Sequence, residues 1–433
     1  MKLWLPGGTR TLDEVYSGRN NAFNAMRLLF ALTVVVTHAN ILGFGHEGNP
    51  LGIPVDVTAL AVAGFFVLSG FLITRSGRRT GLFRFAWHRV LRIFPGFWVC
   101  IGFTALVVAP LLWLRQHGTI HGIRHSGALS YIKNNFFTDI LQPGISDLLA
   151  GVPYPYTLNG SLWTLKYELT CYVLVAALAV IGVLRRARIV VLLLTLVCCG
   201  LIVADFVSGP TNVGPLFTFD MFKVPVGGQY EKLYLLTYGT AFLLGAAAEM
   251  YRDVIPYNDV LGVSALVLVG VGSGLPLLGP ALIAYAYLLL WLGMRLPQFV
   301  RRIGRRNDYS YGVYIYAFLV QQVLAILGVQ RHGMAVYLSL SIVVTFALAI
   351  LSWHLVEKPA MRLKDWTPPF MRPPAEERAR AAAVAGDLPP AAHPAPAPSD
   401  PPVAAEPSTV AAEAVVRRFE SPGQRLPLAR RRD

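Results

Sequence analysis

Apolar runs of about twenty residues recur between residues 22 and 356, separated by short links in which arginine is the dominant charge. A run that long and that poor in charge finds a stable backbone only by closing its own hydrogen bonds as a helix in lipid. Ten such runs are read here, at about residues 22–43, 57–74, 93–114, 161–184, 189–207, 233–250, 258–272, 277–294, 309–328 and 335–356. Only 14% of the 433 residues are charged and the mean hydropathy is +0.52, whereas a soluble domain averages about 25% charged residues. The expected fold class is an all-α polytopic membrane protein with about ten transmembrane helices.

The formal net charge of +14 does not point to nucleic acid, because the basic residues sit in the links. Links assigned to the inside hold 18 lysines and arginines and those assigned to the outside hold 6, as the positive-inside rule requires. An even number of spans puts both termini in the cytoplasm, with the protein integral to the inner (plasma) membrane. Residues 1–21 form a polar, basic cytoplasmic segment and 22–365 the membrane domain. Beyond that, 366–433 turn to Pro, Ala, Glu and Arg without apolar periodicity, which predicts a disordered cytoplasmic tail. Cys100, Cys171, Cys198 and Cys199 all fall in apolar runs, so they read as small buried residues, not as disulfides or ligands.

Polar groups at membrane depth are costly and so informative. The first run, NAMRLLFALTVVVTHAN, carries Arg27 and His38. Eleven residues are about three turns plus ~20°, so both side chains leave one face, ~16 Å apart along the axis. A snorkelling arginine with a satisfied interface histidine would give the same pattern. The alternative is a fixed cation at the inner boundary and a proton-transferring imidazole deeper in. Arg89 and Arg92, at i and i+3 in HRVLRIFPGFW, share a face. With Arg27 they can converge at the cytoplasmic side on the phosphates of an anionic cofactor. Pro95 is read as the entry to the third helix.

In the second run, AGFFVLSGFL, small residues permit close helix packing and Ser69 can bond across an interface. In NGSLWTLKYELTCYVLV, Lys166 and Glu168 are two residues apart and point to different neighbours. Glu168 could orient His38 or bind a hydroxyl arriving from outside, or belong to a structural ion pair. Asn159, Ser161, Trp163 and Tyr167 add hydrogen-bonding groups near the outer surface. The ninth run, NDYSYGVYIYAFLVQQ, is too polar to face lipid, and Glu357 in WHLVEKP is read as a partner for an inner-side arginine. His117, His121 and His125 are dense in an outer link, but Gly118 and Gly122 argue for a loop, and no metal site is expected.

Taken together, these motifs resemble the acyltransferase 3 family of membrane O-acyltransferases over about residues 20–365. They are Arg27 and His38, GFFVLSGFLI, Arg89-x-x-Arg92 with IFP, NGSLWTLKYE, DYSYGVYIY and WHLVEKP. The resemblance implies transfer of an acyl group, acetyl by default, from cytoplasmic acyl-CoA. The acceptor would be a hydroxyl of an exopolysaccharide, lipopolysaccharide or other glycan at the outer face. It marks His38 as catalytic and Arg89 and Arg92 as donor-binding. Arg27 would join that clamp and Glu168 would assist His38. Ser69, Asn159, Trp163, Lys166 and Tyr167 are the candidate acceptor contacts. The chain has Ala317 where many relatives have histidine, so no catalytic role is carried to that position. A competing reading is a proton-coupled transporter or flippase for a glycan or anionic lipid, with His38 and Glu168 as a relay. Against it, no half-to-half repeat is visible.

Overall fold

The computed structural model describes residues 10–18, 20–46, 56–208, 221–224, 228–274 and 278–366. The Gly/Pro-rich link at 47–55 and the tail after Trp366 lie outside the described residues. The chain divides into two units, Met1–Trp366 and Thr367–Asp433, and every described residue belongs to the first.

The chain opens with β1 (Arg10–Thr11) and a single turn, α1 (Leu12–Val15). The helices α2 (Phe23–Phe44), α3 (Val57–Arg79) and α4 (Leu82–Phe103) come next, and a π-helical turn at Thr104–Val108 carries α4 on into α5 (Ala109–His117). After α6 (Ala128–Asn134), a 3-10 turn at Gly160–Trp163 leads into α7 (Thr164–Val180), then α8 (Val183–Arg186) and α9 (Arg188–Ser208). The strands β2 (Met221–Val224) and β3 (Gly228–Glu231) form a hairpin before α10 (Lys232–Met250). A short β4 (Pro256–Tyr257) pairs antiparallel with β1. The series ends with α11 (Asp259–Gly274), α12 (Leu278–Arg295), α13 (Gln298–Arg302), α14 (Ser310–Ile326) and α15 (Met334–Ser352). A second π turn, Trp353–Glu357, joins α15 to α16 (Lys358–Arg362).

Six helical stretches among the described residues are long and apolar enough to cross a membrane: Phe23–Phe44, Val57–Arg79, Leu82–His117, Gly160–Val180, Lys232–Met250 and Met334–Asp365. Shorter apolar helices, Arg188–Ala204, Asp259–Gly272, Ala281–Arg295 and Ser310–Ile326, occupy the other expected positions. The protein is a multi-pass membrane protein. Lipid-facing surfaces stand out on α9 and α15, where Leu193, Leu196, Val197, Val343 and Leu351 are more than half exposed.

Two expectations change. The basic stretch 75–92 is not a link: α3 runs through Arg79, and α4 begins at Leu82 after a break at Thr80 and Gly81. Burial of Phe85, Leu91 and Ile93 gives this arginine-rich stretch an apolar face to pack, and helical packing then decides its conformation. Pro95 therefore lies inside α4 instead of at its entry.

The polar ninth run is explained by its surroundings. α14 is buried on nearly every side, from Ser310 to Ala325. Gln321 donates to the Val35 carbonyl at 2.8 Å, and Gln322 to the carbonyls of Tyr154 and Thr157 at 2.8 Å each. Beside it, α3 and α10 cross in backbone contact. A Cβ on Gly70 would lie 1.9 Å from the Phe242 carbonyl oxygen, and one on Gly245 would lie 2.0 Å from that of Val67. Packing is thus the role of Gly70, as small residues in membrane helices generally serve.

Candidate functional site

The start of α2, the end of α3, the middle of α4 and the start of α14 surround a cavity of about 710 Å³. The turn of α2 at Arg27, the face of α4 at Arg89 and Arg92, and the loop residue Asp308 all border it. Asp308 is the hub. Its Oδ2 accepts from Arg27 Nη1 at 3.3 Å and from Arg92 Nη2 at 2.6 Å. Its Oδ1 accepts from the Ser310 amide at 3.2 Å and hydroxyl at 2.5 Å. Burial alone would push the Asp308 carboxyl up, but Arg92 and then Arg27 outweigh it and hold the pKa at about 2. On the other side of Arg92, Nη1 lies 3.9 Å from Glu357 Oε2. The π turn sets that carboxylate in place, and Ser352 Oγ donates to its other oxygen at 3.1 Å. Glu357 therefore faces an arginine, Arg92.

Beside this cavity lies a second, smaller one of about 40 Å³, the neck, which shares part of its lining. Arg27, Ser69, Glu168 and Tyr311 border both spaces, and Phe65, Thr164 and Tyr314 line the neck alone. Ser69 Oγ donates to Glu168 Oε1 at 3.2 Å, and the Tyr172 hydroxyl donates to the same oxygen. Glu168 thus has hydroxyl partners on α3 and α7, and His38 is not among its hydrogen-bond partners. Thr164 and Tyr314 share a hydroxyl–hydroxyl bond of 2.6 Å.

His38 lies on the stripe of α2 that begins at Arg27, but its ring borders neither space. It packs edge-on against Phe318, with ring centroids 5.4 Å apart. Phe318 comes one helical turn after Tyr314, so the imidazole lies about one turn beyond the neck. Gly160 of NGSLW makes room for Phe318: a Cβ there would come within 2.4 Å of its ring. The His38 Nδ1 is buried with no hydrogen-bond partner. An orphaned buried nitrogen costs free energy until something bonds to it.

The structure brings Arg27, Arg89 and Arg92 to one cavity and sets Ser69 and Glu168 at its neck. The other candidates lie elsewhere. Asn159 is fully buried and donates to Thr104 Oγ1 at 2.9 Å and to the Tyr131 hydroxyl at 2.8 Å, which ties the segment before α7 to the π turn after α4 and to α6. Lys166 pairs with Asp139 at 3.1 Å, and so it does point away from Glu168. Trp163 and Tyr167 join Tyr230, Tyr234 and Tyr238 in an aromatic cluster near the β2–β3 hairpin. Asp308 opens the motif DYSYGVYIY but is not among the candidate site residues, and neither are Tyr172, Arg75 and Tyr16, which also shape the cavity. Asp308 does carry a signal, being the single acidic residue in the basic link RLPQFVRRIGRRND.

Guanidiniums in excess around a roomy cavity suit an anion with several phosphates. Arg89 Nε and Arg75 Nη1 are buried without hydrogen-bond partners, so unspent donors line the walls. Among the described residues, no group of three or more His, Cys, Asp or Glu side chains could hold a metal ion.

A membrane-embedded helical body with an arginine-lined cavity, and an imidazole with a buried Nδ1 further along the helix that carries Arg27, fits one class of membrane enzyme. Residues 20–354 match the family model described as an acyltransferase domain, and the chain belongs to the acyltransferase 3 family. It is 31% identical over 350 residues to an O-acetyl transferase of Shigella phage Sf6, covering 78% of this chain and 96% of the relative. It is also 29% identical over 374 residues to Nodulation protein 10 of Rhizobium leguminosarum bv. viciae, covering 81% and 96%. No solved structure matches significantly. The protein is therefore an acyltransferase of the membrane, of the O-acyltransferase kind.

Proposed function

We propose that the protein moves an acyl group, acetyl by default, from cytoplasmic acyl-CoA to a hydroxyl of a surface glycan arriving from the outer side. The observation that carries this reading is the single stripe of α2. Arg27 borders the arginine-lined cavity at one end, and His38 offers an unpaired Nδ1 at the other. The ~16 Å between them suits an extended carrier arm passing the neck. The name of the phage relative, an O-acetyl transferase, supports acetyl as the group and oxygen as the acceptor atom.

In this reading the arginines hold the donor's phosphates, with Asp308 and Glu357 fixing Arg27 and Arg92. His38 takes the proton from the acceptor hydroxyl as its oxygen attacks the thioester carbonyl. The carbon–sulfur bond breaks, and the imidazolium returns the proton to the departing thiolate. Glu168, with Ser69 and Tyr172, is a polar step in the neck that the thioester passes. Trp163, Tyr167, Lys166 and Asn159 act at the outer side, binding sugar or holding its entrance. In this reading the chain crosses the inner membrane ten times with both termini in the cytoplasm, and the tail lies outside the chemistry.

Purified protein given radiolabelled acetyl-CoA and a surface-glycan acceptor is expected to transfer label to the glycan. His38→Ala, correctly inserted, is expected to silence it. Label transfer at the normal rate by that variant would remove His38 from the mechanism. Movement of glycan without label would favour a carrier, and label trapped on His38 itself would make it an acyl carrier instead of a base.

A further inference from the structure

Among the arginines around the inner cavity, the charges are unequally spent. Arg27 and Arg92 are matched by Asp308 and Glu357. Arg78, which does not line the cavity, reaches Glu249 at 3.8 Å, and that carboxylate also acts on Arg75. Arg75, one turn earlier on α3, borders the cavity and keeps Nη1 buried without a hydrogen-bond partner. Its guanidinium carbon lies 4.5 Å from the centroid of the Tyr16 ring, over its face. A guanidinium laid on an aromatic face keeps its fork of N–H donors free at the edge, which is the geometry that grips a phosphate.

Tyr16 comes from residues 10–18, which lie outside the family-matched stretch 20–354. This segment is fastened at many points. α1 has a capping box in which Glu14 N donates to Thr11 Oγ1 at 3.4 Å and Thr11 N to Glu14 Oε2 at 3.0 Å. β1 pairs with β4. The amides of Leu12 and Asp13 donate to the carbonyls of Ile255 and Arg252 at 3.0 Å each. Arg252 Nε meets Asp13 Oδ1 at 2.8 Å, and Leu12 is buried. A single turn cannot hold itself in water, so these contacts hold it for the residues after it. Tyr16 then packs edge-on against Phe71, at 5.2 Å, and stacks on Phe23, at 6.2 Å. The ring is fixed in place before any ligand arrives.

We propose that Arg75, held against Tyr16, is a further phosphate-binding residue for the acyl donor, and that residues 10–18 form the brace that positions it. This rests on the reading of the inner cavity as the donor site. A preset guanidinium loses less side-chain freedom on binding, and its buried donor recovers its lost solvation when an anion enters.

The test uses full-length protein in lipid nanodiscs, with coenzyme A binding by calorimetry and acetyl-CoA kinetics. Arg75→Gln is expected to weaken coenzyme A binding and raise the donor KM about tenfold, with kcat nearly unchanged. Tyr16→Leu is expected to raise KM about threefold, and Tyr16→Phe, which keeps the ring, to leave it unchanged. Unaltered coenzyme A affinity in Arg75→Gln overturns the proposal. So does a fall in kcat at constant KM, or an equal loss in Tyr16→Phe and Tyr16→Leu. If the wild-type protein itself does not bind coenzyme A, the donor-site reading has failed and this inference falls with it. Normal wild-type binding together with normal Arg75→Gln binding defeats this inference alone.

Discussion

The two ends of α2 solve opposite problems. At the Arg27 end the wall is charged and the space is about 710 Å³; carboxylates answer Arg27 and Arg92, while Arg75 and Arg89 keep a buried donor unbonded. At the His38 end there is an imidazole, a phenyl edge and one unanswered nitrogen. In the proposed mechanism one region recognises a large anion and the other moves a single proton. Recognition tolerates redundancy, because several cations share the load. A lone nitrogen has no substitute, so the sizes of the mutational effects should separate the two ends.

His38→Ala is the sharpest break: transfer should fall by about 10²–10⁴-fold with insertion and donor binding preserved, as read by label transfer beside a coenzyme A titration. Asp308→Ala comes next. It leaves Arg27 without its carboxylate and Arg92 with only the longer contact to Glu357, so thermal unfolding in detergent should show a loss of about 3 kcal/mol. Asp308→Asn, which keeps an acceptor oxygen for the arginines, should lose less. Arg89→Ala should raise the donor KM about tenfold while kcat holds; a selective loss of kcat would place Arg89 with His38 instead of with the donor. Lys166→Met is the smallest. If Lys166 has a structural role, through contacts such as those with Asp139 and the Tyr167 and Tyr230 rings, activity should stay within about twofold; a larger rise in acceptor KM would move it into the acceptor path.

Much of this is legible because membrane helices make few concessions. Arg27, His38 and Glu168 stand out where lipid admits no charge, and helical spacing alone puts the first two on one stripe. Asp308 stays hidden for the opposite reason. It sits in a polar link, where a carboxylate is ordinary until three-dimensional packing sets two guanidiniums against it. The start of α4 is hard to read because the arginines between Arg75 and Arg92 resemble a solvated link, while Phe85, Leu91 and Ile93 supply the buried face that makes it helical. Asn159 and Trp163 have the composition of a sugar site, yet the buried bonds of Asn159 and the packed tyrosines around Trp163 also knit the helices together. Composition alone does not separate the two roles.

The crossing of α3 and α10 carries a consequence for anyone reading variants of this protein. Gly70 and Gly245 line no part of the passage, but Phe66 and Ser69 belong to the same turns of α3 that the crossing clamps. A methyl group at either glycine would act as a wedge, forcing the two backbones apart at a strain of about 1–3 kcal/mol and swinging Ser69 away from Glu168. Such a variant would behave in a kinetic assay like a damaged catalytic group, although the injury would be to the masonry behind it.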